Sequence, residues 1–243
     1  LPNPIYNTLA SKEGGHKGEG IAVWNTNKIL NKGTWSNGGG GGNIHNGGGG
    51  GGALYSKGGQ GGRIYQDPGF NPPCVGGNGL GGNQLNWQNT KIYMGGGGGA
   101  GHDNDKTSFP GGNGGGIIII KSGSIVLNNY NIISNGITPN AAGNDGASGG
   151  GAGGSIIIES QIQANTGKIE AKGGNGGNND WISYRQCVAP GGGGSGGFIQ
   201  VLNNLPSNNF SIEKGLSGRI SVNNPVCSNS QFGAEDGQIG KIE

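Results

Sequence analysis

Charge is scarce in this chain. Asp, Glu, Lys and Arg make up 12% of its 243 residues, and the net charge is +2. No basic stripe appears, so nucleic-acid binding has no support. Apolar residues reach only 30%, less than an ordinary sandwich or α/β domain needs to offset chain entropy. The longest apolar run, Ile117–Ile120, is far too short to span a bilayer, so membrane insertion is not expected. No window carries a 3.6-residue apolar period free of Gly or Asn, and no significant α-helix is expected. There is no P-loop, no H-E-x-x-H and no G-x-S-x-G elbow. G-x-G-x-x-G recurs, but in a glycine-saturated chain it carries no information. The three cysteines, Cys74, Cys187 and Cys227, include no C-x-x-C pair, which removes zinc and thioredoxin-type readings. They allow at most one internal disulfide. Cys187 and Cys227 are the candidate pair, because they lie 40 residues apart, close to one repeat length. The sequence leaves the other two pairings open.

Glycine supplies 62 residues, against a usual share of roughly 7%. Disorder is the bland reading of such a chain. Two features oppose it. Disordered tails are usually charge-rich, and the apolar residues here are clustered, β-branched and recur in register. The same phrase occurs three times: Gly111–Ile119, Gly150–Ile158 and Gly193–Val201 each turn from a glycine run into a short apolar run. Aligned isoleucines are 39 residues apart (Ile117 to Ile156) and then 43 (Ile156 to Ile199). Such periods indicate stacked units rather than one conventional core.

Residues 1–20 open with Pro2 and Pro4 and read as an extended lead-in. The start at Leu1-Pro2 looks like a mature or trimmed chain. Ile21–Trp24 reads as a strand. Asn25–Gly33, Asn89–Gly95 and Asn165–Gly173 share a turn-strand-glycine theme, which Asn, Thr and Gly suit by closing tight turns. We divide a single domain, 1–243, into degenerate repeats over 18–100, clearer repeats at 101–143, 144–186 and 187–224, and a closing strand at 238–243. That last strand suggests continuation into a further domain or assembly.

The glycine runs follow a G-G-x beat, as in Gly58–Gly62 and Gly173–Gly177. Period three belongs to the polyproline II helix, which lacks internal hydrogen bonds. Neighbouring chains approach closely where side chains are absent, and their carbonyls then accept N–H bonds, with weak Cα–H···O support. Collagen fails as an alternative, since proline is sparse at ten residues and no sustained Gly-X-Y tract exists. The expected fold is therefore all-β or irregular: short stacked strands beside a polyglycine II bundle in a repeat, solenoid-like arrangement.

Ala100–Asp105, Phe109–Gly112 and Gly116–Ile120, with Asn144–Ser148 and Ala189–Gly191, carry a family resemblance. The chain over roughly 90–202 resembles the glycine-rich repeat regions of large secreted bacterial surface proteins, particularly of Bacteroidetes. In packing mode it is similar to phage tail-tip adhesins built on polyglycine II sandwiches, and to springtail antifreeze proteins. The resemblance implies a secreted, cell-surface adhesin or envelope component, with a surface glycan or neighbouring surface protein as partner, or self-assembly.

Candidate sites are few. His102 beside Asp103 and Asp105 can be drawn as a hydrolytic dyad, but the favoured reading is a turn capping the Gly95–Gly99 run, because no nucleophile or oxyanion site is located. Asp103-Asn104-Asp105 could ligate calcium, with Asp145 and Asp180 weaker candidates; Asp-Asn turns without metal are commoner. No other cofactor is expected. Trp24, Trp35, Trp87, Trp181, Tyr55, Tyr65, Tyr93 and Tyr184 default to plugging the glycine layer. As a binding platform, aromatics offer area at low entropy cost. Trp181-Ile182-Ser183-Tyr184-Arg185-Gln186 interrupts the repeat before Cys187 and reads as an insertion loop, the kind of segment that carries binding on repeat scaffolds. Trp181, Tyr184 and Arg185, with Tyr65 of the loop Tyr65–Cys74 and Trp87, are the candidate ligand-binding residues. Asn209-Phe210-Ser211 is the one N-x-[ST] sequon, relevant in a eukaryotic source. The expected function is non-enzymatic: an extracellular structural or adhesive module. A carbohydrate-binding tip is the alternative, and a polysaccharide-acting enzyme the third reading. Ice binding lacks the regular Thr face it needs.

Overall fold

The computed structural model describes residues 14–21, 29–43, 45–66, 77–88, 91–163, 167–184, 186–201 and 209–243. Ile- and Val-rich runs bounded by glycine favour extended chain, and the strands fall there. They are β1 (Tyr65–Gln66), β2 (Ile117–Val126), β3 (Ile132–Ile133), β4 (Ser155–Gln163), β5 (Ile169–Glu170), β6 (Gln186–Cys187), β7 (Phe198–Val201), β8 (Phe210–Ser211) and β9 (Lys241–Ile242). The described residues contain no α-helix, and none that is long and apolar enough to cross a membrane. The expected strand Ile21–Trp24 lies largely outside the described residues.

Two parallel sheets organise the chain. One has the order β2-β4-β7-β9 and the other β3-β5-β8, while β1 and β6 pair antiparallel. In the first sheet Ile118, Ile156, Ile199 and Ile242 stand in register across all four strands. In the second, Ile132, Ile169 and Phe210 do the same. Isolated parallel bridges add a further row, Ala142–Asn179–Ile220. The Ile156–Ile199 alignment expected from sequence is the one observed. The Ile117–Ile156 alignment is not: Ile117 lies opposite Ser155, and Ile118 opposite Ile156. Ser155 occupies the first strand position of β4, where its hydroxyl donates to the Tyr93 carbonyl at 2.7 Å. Aligning first isoleucines therefore slips β2 by one residue, and a one-residue slip exchanges the two faces of a strand.

The two parallel sheets face one another. Ile156, Ile158, Ile169, Ile199, Leu127 and Ala171 are buried between them, with Ile118, Ile120, Ile162, Val201 and Phe210 packed around. Fully burying an Ile side chain is worth about 1.5–3 kcal/mol, so this seam supplies much of what apolar burial the chain has. The other face of the first sheet is capped by aromatics. Phe198 lies 4.3 Å from Trp87 and 5.2 Å from Tyr55, centroid to centroid.

Beyond the sheets much of the interior is backbone. Residues 48–53 are extended, and their N–H groups point three ways in turn. Gly48 and Gly51 donate to Gly62 and Gly59, Gly49 and Gly52 to Ala147 and Gly150, and Gly50 and Ala53 to Gly40 and Asn37, all at 2.8–3.2 Å. Their carbonyls accept from three more segments: from Gly79 and Gly82, from Gly192 and Ser195, and from Gly99 and Gly96, at 2.8–3.0 Å. Each of these bonds contributes about 0.5–1.5 kcal/mol net. Close approach is what requires glycine. A Cβ on Gly149 would sit well inside 3 Å of the backbone of Gly50.

Candidate functional site

Asn179 builds the base of the insertion loop. It is fully buried, and its Nδ2 donates to the carbonyls of Gly143 at 2.9 Å and Asp145 at 2.8 Å. Its Oδ1 accepts the Trp181 N–H at 3.1 Å, fixing where the loop leaves the lattice. Asn224, equally buried, closes the other side. Its Nδ2 donates to the carbonyls of Trp181 and Gln186, and its Oδ1 accepts the N–H groups of Val226 and Cys227. Cys227 is disulfide-bonded to Cys187, with Cα atoms 5.9 Å apart, within the usual range for a bridge.

Pinned at both ends, the loop raises its large side chains into solvent. Tyr184 is 84% exposed, Ile182 51% and Trp181 38%, and Val222 and Val226 are exposed on the neighbouring turn. Arg185 lies outside the described residues. Tyr65 is brought alongside by its backbone, since β1 pairs with β6 and sets Tyr65 opposite Cys187; the rest of the loop to Cys74 lies outside the described residues. Trp87 is elsewhere. It is half-buried in the aromatic cap with Tyr55 and Phe198, with the Lys241 ammonium 5.8 Å from its ring centroid. The structure thus gathers Trp181, Tyr184 and the Tyr65 strand around the disulfide, and keeps Trp87 apart.

The acidic turn at 103–107 is organised by a residue outside it. Asp145 is fully buried. One of its carboxylate oxygens accepts the N–H groups of Asn104 at 3.0 Å and Asp105 at 3.1 Å. The other accepts the Thr107 N–H at 2.8 Å and its hydroxyl at 2.7 Å. Lys106, inside this turn, has a φ of 63°, a left-handed conformation uncommon for a non-glycine residue. Burial pushes the Asp145 carboxyl up, but the donors of Asn104, Thr107 and Asp105 outweigh it and hold the pKa below the ordinary value. Asp103 shifts the other way, raised by its own burial and then by the Asp145 carboxylate beside it. Among the described residues no three His, Cys, Asp or Glu side chains converge as a metal-holding group. His102 is buried, and its Nδ1 accepts the Asn46 N–H at 3.2 Å.

Sequence reasoning singled out the exposed aromatics but missed Asn179 and Asn224. Their signal was faint: an Asn beside a loop junction in a chain full of Asn. Comparison with family models, with characterised proteins and with solved structures returns no match to this chain.

Proposed function

We propose that the chain is an extracellular structural or adhesive module, in which a rigid glycine lattice holds an aromatic loop at its edge. The glycine segments are read as a polyglycine II bundle stacked on repeating parallel strands. The three-way alternation of donors along residues 48–53 supports this, since three residues per turn aim successive N–H groups 120° apart. The observation that carries the functional reading is the double-pegged, disulfide-anchored loop with Trp181 and Tyr184 exposed. A soluble chain gains no stability from exposing such side chains, whereas a contact surface uses them as preorganised area.

A carbohydrate-binding tip is the second reading, favoured by the same aromatics, which suit stacking on sugar rings. The test is binding of the purified chain to a glycan array and to intact cell surfaces. Trp181→Ala and Tyr184→Ala each weaken binding at least about tenfold, a loss of roughly 1.4 kcal/mol, and leave thermal unfolding within a few degrees of the parent. Unchanged binding by both variants sinks the loop as the contact site. Retained cell-surface binding with an empty glycan array favours a protein partner.

A further inference from the structure

Traced through the described residues, the backbone lattice is incomplete beside residues 95–100. Residues 48–53 are enclosed by segments centred near 38, 60, 80, 98, 148 and 193, three taking their N–H groups and three their carbonyls. Residues 95–100 follow the same rule one segment short. Gly95 and Gly98 donate to Gly115 and Gly112, Gly96 and Gly99 to Ala53 and Gly50, and Gly97 and Ala100 to Glu19 and His16. The carbonyls of Gly96 and Gly99 accept from Ala152 and Gly149, and those of Gly97 and Ala100 from Gly39 and Gly42. The carbonyls of Gly95 and Gly98 receive no backbone N–H from the described residues.

A groove of about 960 Å³ lies at that place, lined by residues of 14–21, 94–101 and 108–114. Its position in the lattice follows from a comparison with the closed ring. There the Gly48 carbonyl lies against the Cα of Gly61 and takes the N–H of Gly79. The Gly98 carbonyl lies in the same way against the Cα of Gly111, and the Gly95 carbonyl against that of Gly114. The groove therefore stands where the segment of Gly79 stands in the complete ring. Its walls bring matching donors. The N–H groups of Gly111 and Gly114 on one side, and of His16 and Glu19 on the other, have no backbone acceptor among the described residues. Along the floor the spacing also fits. Met94, Gly97 and Ala100 line the groove at every third position, and a Cβ on Gly97 would meet nothing closer than 3.2 Å. Most glycines of the lattice have backbone well inside 3 Å at that position.

We propose that this groove binds an extended peptide strand of G-G-x sequence, supplied by a partner polypeptide, as the missing member of the lattice. Two acceptors three residues apart match two donors of a polyproline II strand, about 9 Å apart along its axis. The inward positions of the strand must be glycine, because the walls are backbone at close approach. The third position faces out, as Pro110 and Asn113 do on the wall segment, where Gly112 and Gly115 are buried. Backbone pairing of this kind supplies affinity, and the glycine requirement supplies specificity.

The proposal rests on the polyglycine II reading above and is independent of the aromatic loop. The test is amide NMR with hydrogen exchange on the full chain, titrated with a synthetic (Gly-Gly-Asn)₄ peptide. The amides of His16, Glu19, Gly111 and Gly114 shift saturably and slow in exchange. The same peptide with alanine for its glycines binds at least about tenfold more weakly. Ala100→Phe, which fills the floor, abolishes the shifts while Gly49–Gly52 stay protected. Protection at Gly49–Gly52 without any groove shift overturns the proposal and leaves the lattice reading standing. Unprotected amides at Gly49–Gly52 overturn both. Groove amides already slow in the free monomer assign the groove to the chain's own residues. Slowing that grows with protein concentration assigns it to a second copy. Either result overturns the partner strand.

Discussion

Asp145 shows how a single carboxylate replaces side-chain packing in a glycine-rich chain. It ties the turn at 104–107 to a segment about forty residues later through three N–H groups and one hydroxyl. Asp145→Ala leaves those buried donors unsatisfied, and we expect it to cost about 1–3 kcal/mol in urea unfolding. The pH dependence follows from the direction of the shift. The folded pKa lies below the unfolded one, so the contribution is complete above the unfolded value and is lost as pH falls through the folded value. Asp103 has the opposite sign. Its folded pKa is raised, so its opposition to folding sets in as pH rises through the unfolded value and is complete above the folded one. Asp103→Asn therefore raises the melting temperature at pH 7, and the gain vanishes near pH 3. A lower melting temperature at pH 7 for Asp103→Asn would contradict this account. Asp103 and Asp105 were legible in the sequence as an acidic turn. The Asp145 clamp was not, because hydrogen bonds across such a separation are invisible until the segments are placed side by side.

At the level of elements, glycine positions divide into those the lattice closes over and those it leaves open. A Cβ at Gly149 meets the carbonyl of Gly50 head on, whereas one at Gly123, in β2 beside the Lys121–Ser124 register shift, meets nothing within 4 Å. Gly149→Ala destabilises by about 3 kcal/mol or unfolds the chain, while Gly123→Ala is neutral or stabilising by up to about 1 kcal/mol. Equal effects would remove close backbone approach as the reason for so much glycine. The starts of β2, β4 and β7 were legible from the ends of the glycine runs, and Ile156 and Ile199 pair as their spacing suggests. The sheets' parallel order and the one-residue offset of β2 were not. Both depend on which face of each strand the opposing sheet buries, as at Ser155 and Ile118.

For the whole molecule, the Cys187–Cys227 bridge ties the loop to the turn behind Asn224 across 40 residues. Chain-entropy arguments put a loop of this length at about 4 kcal/mol, with wide scatter. Cys227→Ser is expected to lower the unfolding free energy by roughly 2–4 kcal/mol and to weaken the contacts of the Trp181 loop. On the β2 edge of the four-stranded sheet, Lys121 is largely exposed and paired with Glu159 at 2.9 Å. Charge on an edge strand is a usual guard against edge-to-edge stacking. Size-exclusion with light scattering is expected to show a discrete monomer with and without calcium. Open-ended polymers would mark a fibre subunit, and a calcium-dependent change would return Asp103, Asn104 and Asp105 to the position of metal ligands.

Composition and spacing alone determined that the described residues are non-helical, that β2, β4 and β7 begin where glycine runs end, and that Trp181 and Tyr184 sit in an interruption before Cys187. Those are local properties, set by propensity, period and the lack of apolar area for a conventional core. Tertiary structure decided which strands are neighbours and which side of each is buried. It also decided that Asn179 and Asn224 peg the loop, and that the carbonyls of Gly95 and Gly98 receive no backbone N–H from the described residues. The physical reason is that backbone N–H and C=O groups are identical at every glycine. A lattice built from them takes its register from the side chains that flank it, and its partners are known only once the segments are set against one another.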